Sequence, residues 1–409
     1  MSRIACLLVL VSAAPVALLP ACRKSPTEVS PQPTAVGGGP ASSTAASALL
    51  PGATCTFPER LDKDATIKAG CVVDVMKNAL VESGTTLTIE PGVTLRFQEA
   101  TYLEVGHKGS RLVAKGTADK PIVFTSGLST KRPGDWVGVV FDDGVGQQGS
   151  IISHAIVEYG GRASHGGEGA ITVFSPFPAG RVSIEDTMFR KNNLTAVADR
   201  FPSATFGSFA RNTFENNAHA MRVSAGVLAA IGEGNAFNDE IEILGGTVQK
   251  AGAWPKTQRP LLVSAPVAVE GDDAKLTLVP GTTIKFAPGT WLEVGVKARG
   301  ALDAENVTFT SAAPEPKAGD WVGIIFGENA THSRISGGLI EYAGMEDHGG
   351  DGAITFVGKR TWQALDVGIF GVQFKSLKQA HISDNGEGCN KALDPANGLV
   401  FTGGVEPCH

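Results

Sequence analysis

The chain has few of the residues on which a helical or nucleic-acid-binding protein depends. Aromatic residues fill 7% of its 409 positions, only 3 of them tyrosine, and charged residues fill 19%. Lys and Arg total 35 against 41 acidic residues, a net charge of -6, and no basic run breaks the balance. A face able to displace counterions from phosphates is therefore missing, which excludes a nucleic-acid partner. No window beyond residue 55 carries a strong helical period, which excludes a helix bundle. Calcium nonapeptides, a phosphate-cradling Gly loop, a Gly-x-Ser-x-Gly elbow and zinc-ligand spacings are all missing, so no cofactor or resident metal is expected. What remains is glycine, 51 residues of it, and short runs of Val, Ile, Thr and Phe, the composition of a turn-rich β protein.

The N-terminus reads as a targeting segment. Arg3 precedes an apolar stretch from Ile4 to Leu19 that Pro15 interrupts, too short to span a bilayer. It closes on Leu19-Pro20-Ala21-Cys22, which resembles the lipobox of bacterial lipoproteins, although Pro20 is an unusual occupant of its slot. That resemblance implies a signal peptide over residues 1–22 and lipid on Cys22. An ordinary secretory signal cut near Ala21 is the alternative, and either implies export. No acidic residue lies close behind Cys22, which by the same resemblance favours the outer membrane or cell surface of a Gram-negative bacterium. Residues 23–54 are rich in Pro, Ser, Thr, Ala and Gly. They cannot bury enough apolar surface to offset ordering entropy, so they read as a flexible tether.

The body says nearly the same thing twice. LTIEPGVTLRF, YLEVG, FTS, GDWVGVVF, EYGG and SHGGEGAIT, between Leu87 and Val173, return as LTLVPGTTIKF, WLEVG, FTS, GDWVGIIF, EYAG and DHGGDGAIT between Leu276 and Thr355. Copy one occupies about 85–250 and copy two about 251–388. Within each copy, period-two apolar runs are separated by Gly, Pro, Asn and Asp, the signature of strands and turns. A finer repeat chooses a solenoid. Val182, Ile184 and Phe189 before Asn192-Asn193 are echoed by Phe206, Phe209 and Phe214 before Asn216-Asn217. That is one coil length, and matched Asn residues can extend a ladder of amide hydrogen bonds along stacked strands.

These residues resemble the right-handed parallel β-helix repeats of bacterial exported proteins, within the pectin-lyase-like class, from about Leu87 to Phe374. The resemblance implies an all-β fold, a right-handed parallel β-helix with an internal duplication, of about fourteen rungs at roughly 25 residues each. It says little of function, since the same coil serves lyases, hydrolases and adhesins. Cys55 with Cys71, and Cys389 with Cys408, are the natural local disulfide pairs in an exported chain. Each would staple one end of the solenoid, the second within a cap of residues 389–409.

Several residues are candidates for chemistry. Glu158, Tyr159, His165 and Glu168, with their twins Glu341, Tyr342, His348 and Asp351, offer carboxylate, phenol and imidazole for acid-base work. The competing reading is a strand end followed by a Gly-rich turn tied to the next rung. Asp142-Asp143 and Asp272-Asp273 are adjacent carboxylates of the kind that hydrolyse glycosidic bonds, or else ordinary Asp turns. Asp199-Arg200 is the nearest match to a lyase pair. Trp136 and Trp321 are either sugar platforms or core, since both faces of their strand are apolar. A Ca2+ ion at the His165 and His348 turns is a further option.

Two functions compete. One is a lipid-anchored, non-catalytic scaffold or binding module that presents a long flat face to polysaccharide or to another envelope protein. The other is a polysaccharide lyase or glycoside hydrolase. Duplication favours the first, because catalysis requires one intact site whereas a coil requires its motif wherever that rung recurs.

Overall fold

The computed structural model describes residues 54–401 apart from 58, 107, 143–148, 166, 175–181, 200–205, 359–365 and 385–399, and apart from the side chains of 54–56, 384, 400 and 401. The chain divides into a unit of residues 1–45, outside the described residues, and one of 46–409. The second unit is a right-handed parallel β-helix. All strand pairings between its named strands are parallel, in sheets of 8, 14, 6 and 9 strands. Parallel crossovers of this kind are right-handed. Sheet I runs from Thr54–Thr56 to Ala236–Phe237, and sheet III from Ala65–Ile67 to Ser208–Ala210. Sheet II runs the whole stack, from Arg60–Leu61 to Val400–Phe401, and its 14 strands match the fourteen rungs expected.

Like residues stack on like. On the inner side of sheet II, Leu103, Val139, Ile171, Val197, Met221, Ile241, Leu261, Ile284, Phe309, Ile340 and Phe374 are successive register partners. All are buried. An unbroken apolar column of this kind fixes the register, because a one-residue slip would turn every member outward. A second column is aromatic: Phe189, Phe214 and Phe237 stack with centroids 4.9 and 5.0 Å apart. The Asn repeat forms the ladder its spacing predicts. Asn192 Nδ2 donates to Asn217 Oδ1 at 2.9 Å, and Asn217 Nδ2 donates to Asp239 Oδ2 at 2.8 Å. Both amides are buried, so these bonds also satisfy groups that would otherwise be costly to enclose.

The junction between the copies changes the architecture. In copy one each coil passes through sheets I, II and III in turn, so Thr94–Phe97 lies in sheet I and Tyr102–Val105 in sheet II. The helix Ala225–Ala229 then takes the place of a sheet III strand. Two long strands follow, Gly246–Trp254 and Val267–Leu278, each running through a corner with register irregularities between them. They open sheet IV. In copy two Thr283–Phe286, the counterpart of Thr94–Phe97, lies in sheet II, and Trp291–Val294, the counterpart of Tyr102–Val105, lies in sheet IV. The second copy is thus advanced by one face of the coil. Seven steps along sheet II separate Tyr102–Val105 from Thr283–Phe286, and the counterpart strand comes one face later. Equivalent motifs therefore lie on different faces of the coil.

The length differences fall in turns. The connection from Lys115 to Ile122, residues 116–121, shrinks to Asn306 and Val307 in copy two, where Asn306 takes φ 51°. Asn tolerates that left-handed backbone better than most residues.

Candidate functional site

The repeated motifs are held by the same contacts in both copies. Asp135 Oδ2 accepts from Ser126 Oγ at 2.6 Å and from the Arg132 N–H at 2.9 Å. Asp320 Oδ2 accepts from Ser311 Oγ at 2.6 Å and from the Lys317 N–H at 2.9 Å. The serine of FTS and the aspartate of GDW are therefore partners, which explains why both motifs recur. Trp136 and Trp321 have no exposed surface. Their rings stack on Phe97 at 4.1 Å and Phe286 at 4.2 Å, and each indole N–H donates to the carbonyl of Glu158 or Glu341 at 2.9 Å. The sugar-platform reading of Trp136 and Trp321 is thus overturned: both faces are inside the coil.

Glu158 ends a sheet I strand and joins an outward ladder of alternating charge. It accepts from Thr125 Oγ1 and from Arg190 Nε, each at 2.8 Å. One rung below Thr125, Arg96 pairs with Asp74 of the next rung through two bonds of 2.7 Å. Copy two repeats this ladder in sheet II, where Thr310 Oγ1 donates to Glu341 Oε1 at 2.9 Å and Lys375 lies 3.9 Å from Glu341. Tyr159 and Tyr342 follow with identical φ of 62° and pack partly against the core. Lys131 and Lys191 each stand 5.7 Å from the centre of the Tyr159 ring.

The glycine-rich turn after them is fastened by its own threonine. Thr172 Oγ1 accepts from the N–H groups of Glu168 and Gly169 at 3.0 and 3.1 Å. Thr355 Oγ1 does the same for Asp351 and Gly352 at 3.2 and 3.1 Å. His165 and His348 occupy these turns with the same left-handed φ of 48°. His165 is exposed, 2.7 Å from Ser164 Oγ through Nδ1, with its ring 4.9 Å from Tyr102. His348 lies on Trp291 with centroids 4.1 Å apart and a tilt of 20°, and its Nε2 is 3.1 Å from Glu293 Oε2.

The four residues of the acid-base constellation therefore point to different partners. Glu158 faces its sheet I ladder, His165 lies against Tyr102 of sheet II, and the Glu168 carboxylate is 4.0 Å from Arg222. Asp142 extends the sheet II pairing through its N–H to Val105, whereas Asp143 is outside the described residues. Asp272 and Asp273 are exposed in the corner of the long strand Val267–Leu278. Cys71 is buried. Cys55 is in register with Val73, but its side chain, like Cys22, Cys389, Cys408 and Arg200, lies outside the described residues.

One charged cluster gathers around Arg222 in copy one. Arg222 donates from Nε to Glu242 at 2.6 Å and approaches Glu168. Beside it Asp199 is buried, bonded by the N–H and hydroxyl of Ser224 at 3.1 and 2.8 Å. Burial raises the Asp199 carboxyl to about 6, with the Glu168 charge adding to the shift against the Ser224 bonds. No cluster of three or more His, Cys, Asp or Glu with metal-binding geometry occurs among the described residues.

Sequence reasoning missed Tyr102 and Trp291 with Glu104 and Glu293. Each aromatic–carboxylate pair sits two residues apart on the outer side of one strand, beneath a histidine turn. The readable signal was the aromatic before LEVG in both copies.

A parallel β-helix with like-on-like stacking defines the class of protein. Residues 59–173, from before copy one to about its middle, match the family model of the pectate-lyase like beta helix domain. No curated protein matches the chain, and no solved structure does.

Proposed function

We propose that the chain is a non-catalytic cell-envelope module that binds glycan or an envelope protein, carried on a lipid anchor at Cys22. The observation that supports this reading is the duplicate engagement of three recurring pairs of polar residues. Asp135 and Asp320, Glu158 and Glu341, Thr172 and Thr355 each meet the same kind of partner in both copies. Residues fastened identically at two places serve the coil, and a catalytic pair requires freedom to approach substrate within hydrogen-bond reach. Binding would then fall to outward side chains, and the two copies would offer it on different faces.

The anchor is tested by fractionation. Cys22→Ser is expected to move the protein from the membrane to the soluble fraction, and an unchanged distribution would contradict lipidation. The binding role is tested by retention of the purified chain on immobilised glycans. Failure to be retained on any glycan would leave the envelope-protein partner as the surviving form of the reading.

A further inference from the structure

We infer that the outer face of Trp291 is a stacking platform for a neutral pyranose, occupied in the structure by His348 as an internal stand-in. The inference rests on the glycan-binding reading above and deepens it. Trp291 and Glu293 leave the same side of the strand Trp291–Val294. Their heads are joined, since the indole N–H donates to Glu293 Oε2 at 3.1 Å. Against this pair lies a planar ring, the His348 imidazole, at 4.1 Å and nearly parallel, with a nitrogen 3.1 Å from the same carboxylate oxygen. A flat ring stacked on indole with a polar edge on a carboxylate is also how a sugar would be held: its C–H face on the aromatic, a hydroxyl donating to Glu293.

The stand-in is partly open to solvent. The His348 side chain is 44% exposed, in a turn that carries an isolated bridge between Asp347 and Gly350 beside the Thr355 bonds. The Glu293 side chain is only 6% exposed, so His348 leaving would uncover a carboxylate poorly hydrated from elsewhere. The nearby charges are Lys297, 3.9 Å from Glu293 Oε1, and Asp347, whose carboxylate accepts the His348 N–H at 2.8 Å. A sugar acid would meet Glu293 and Asp347 with like charge, so the fitting ligand is neutral. Copy one carries a reduced version, in which Tyr102 replaces the indole and His165 is tilted by 39° at 4.9 Å.

Internal competition gives the test its signature. The purified full chain is titrated calorimetrically with cellohexaose, maltohexaose and chitohexaose, with hexagalacturonate as the anionic comparison. His348→Ala frees the platform and is expected to tighten binding of at least one neutral hexamer by about fivefold or more, since the competent fraction rises. Trp291→Ala is expected to weaken it by about tenfold. Trp291→Phe, which retains a ring and the fold, should fall between, with circular dichroism melting to check each variant. If wild type binds a neutral hexamer but none of these substitutions changes the affinity, the platform is overturned while the glycan-binding reading stands. If no hexamer binds even to His348→Ala, both fail. Preference for hexagalacturonate would overturn the neutral-ligand assignment.

Discussion

Replacing Trp136 by Ala is expected to lower the stability of the β-helix by about 3–5 kcal/mol, the usual cost of removing a large aromatic from a close-packed core. Three effects combine. The indole has no solvent exposure, it stacks on Phe97 at 4.1 Å, and its N–H satisfies the Glu158 carbonyl. The cavity cannot collapse easily, because register pairing holds the coils on either side. Trp321→Ala should cost a comparable amount, given its matching contacts with Phe286 and Glu341. Urea unfolding checks both. A loss below about 1 kcal/mol in either would mean the indole is not core.

Asp199→Asn is expected to change the pH dependence of stability. The Asp199 carboxyl stands at about 6 in the fold, against an ordinary 3.8. A folded pKa above the unfolded one stabilises the fold below the unfolded value, and this contribution is lost as pH rises through the folded value. Wild type should therefore lose on the order of 3 kcal/mol from this group between about pH 4 and pH 7. The amide is neutral throughout and retains an acceptor for the Ser224 N–H. Its stability relative to wild type should rise across that window, and urea midpoints taken at several pH values measure the difference. A difference that stays constant or falls with pH would contradict a raised Asp199.

The class of fold was readable because a β-helix writes its geometry into periodicity. Period-two runs, the 25-residue echo of Asn192 in Asn217 and the long duplication all describe stacked coils. The rotation of copy two was not readable. It depends on how residues 225–278 are spent, and there a short helix and two bent strands replace the regular cadence. The orientation of Trp136 was open for a different reason: Val139 and Val140, on opposite sides of the strand, are both apolar and both buried. Val137 is covered by the glycine-rich turn, where a side chain on Gly167 would come within 2.5 Å of it.

The site was less legible than the fold. Glu158, Tyr159, His165 and Glu168 are adjacent in sequence, which makes them look like one constellation. A chain that turns a corner between two sheets sends neighbours to different faces, and the partners of these four lie in sheet I, sheet II and a later coil. The converse holds for Trp291 and His348. They are far apart in sequence, and only the wrapping of one coil over another brings their rings to 4.1 Å. The repeated GGEG and GGDG runs had a simpler purpose, since Thr172 and Thr355 require the turn backbone to approach closely.

The account turns on whether the repeated carboxylates and imidazoles hold the coil or perform chemistry. The most direct measurement is product release by the purified chain from polygalacturonate, alginate and neutral polysaccharides, read as new reducing ends and as unsaturated sugar. The account predicts no release above the buffer control from any of them. Release that disappears on replacing His165 or Asp142 would contradict it and return the chain to the polysaccharide-cleaving enzymes.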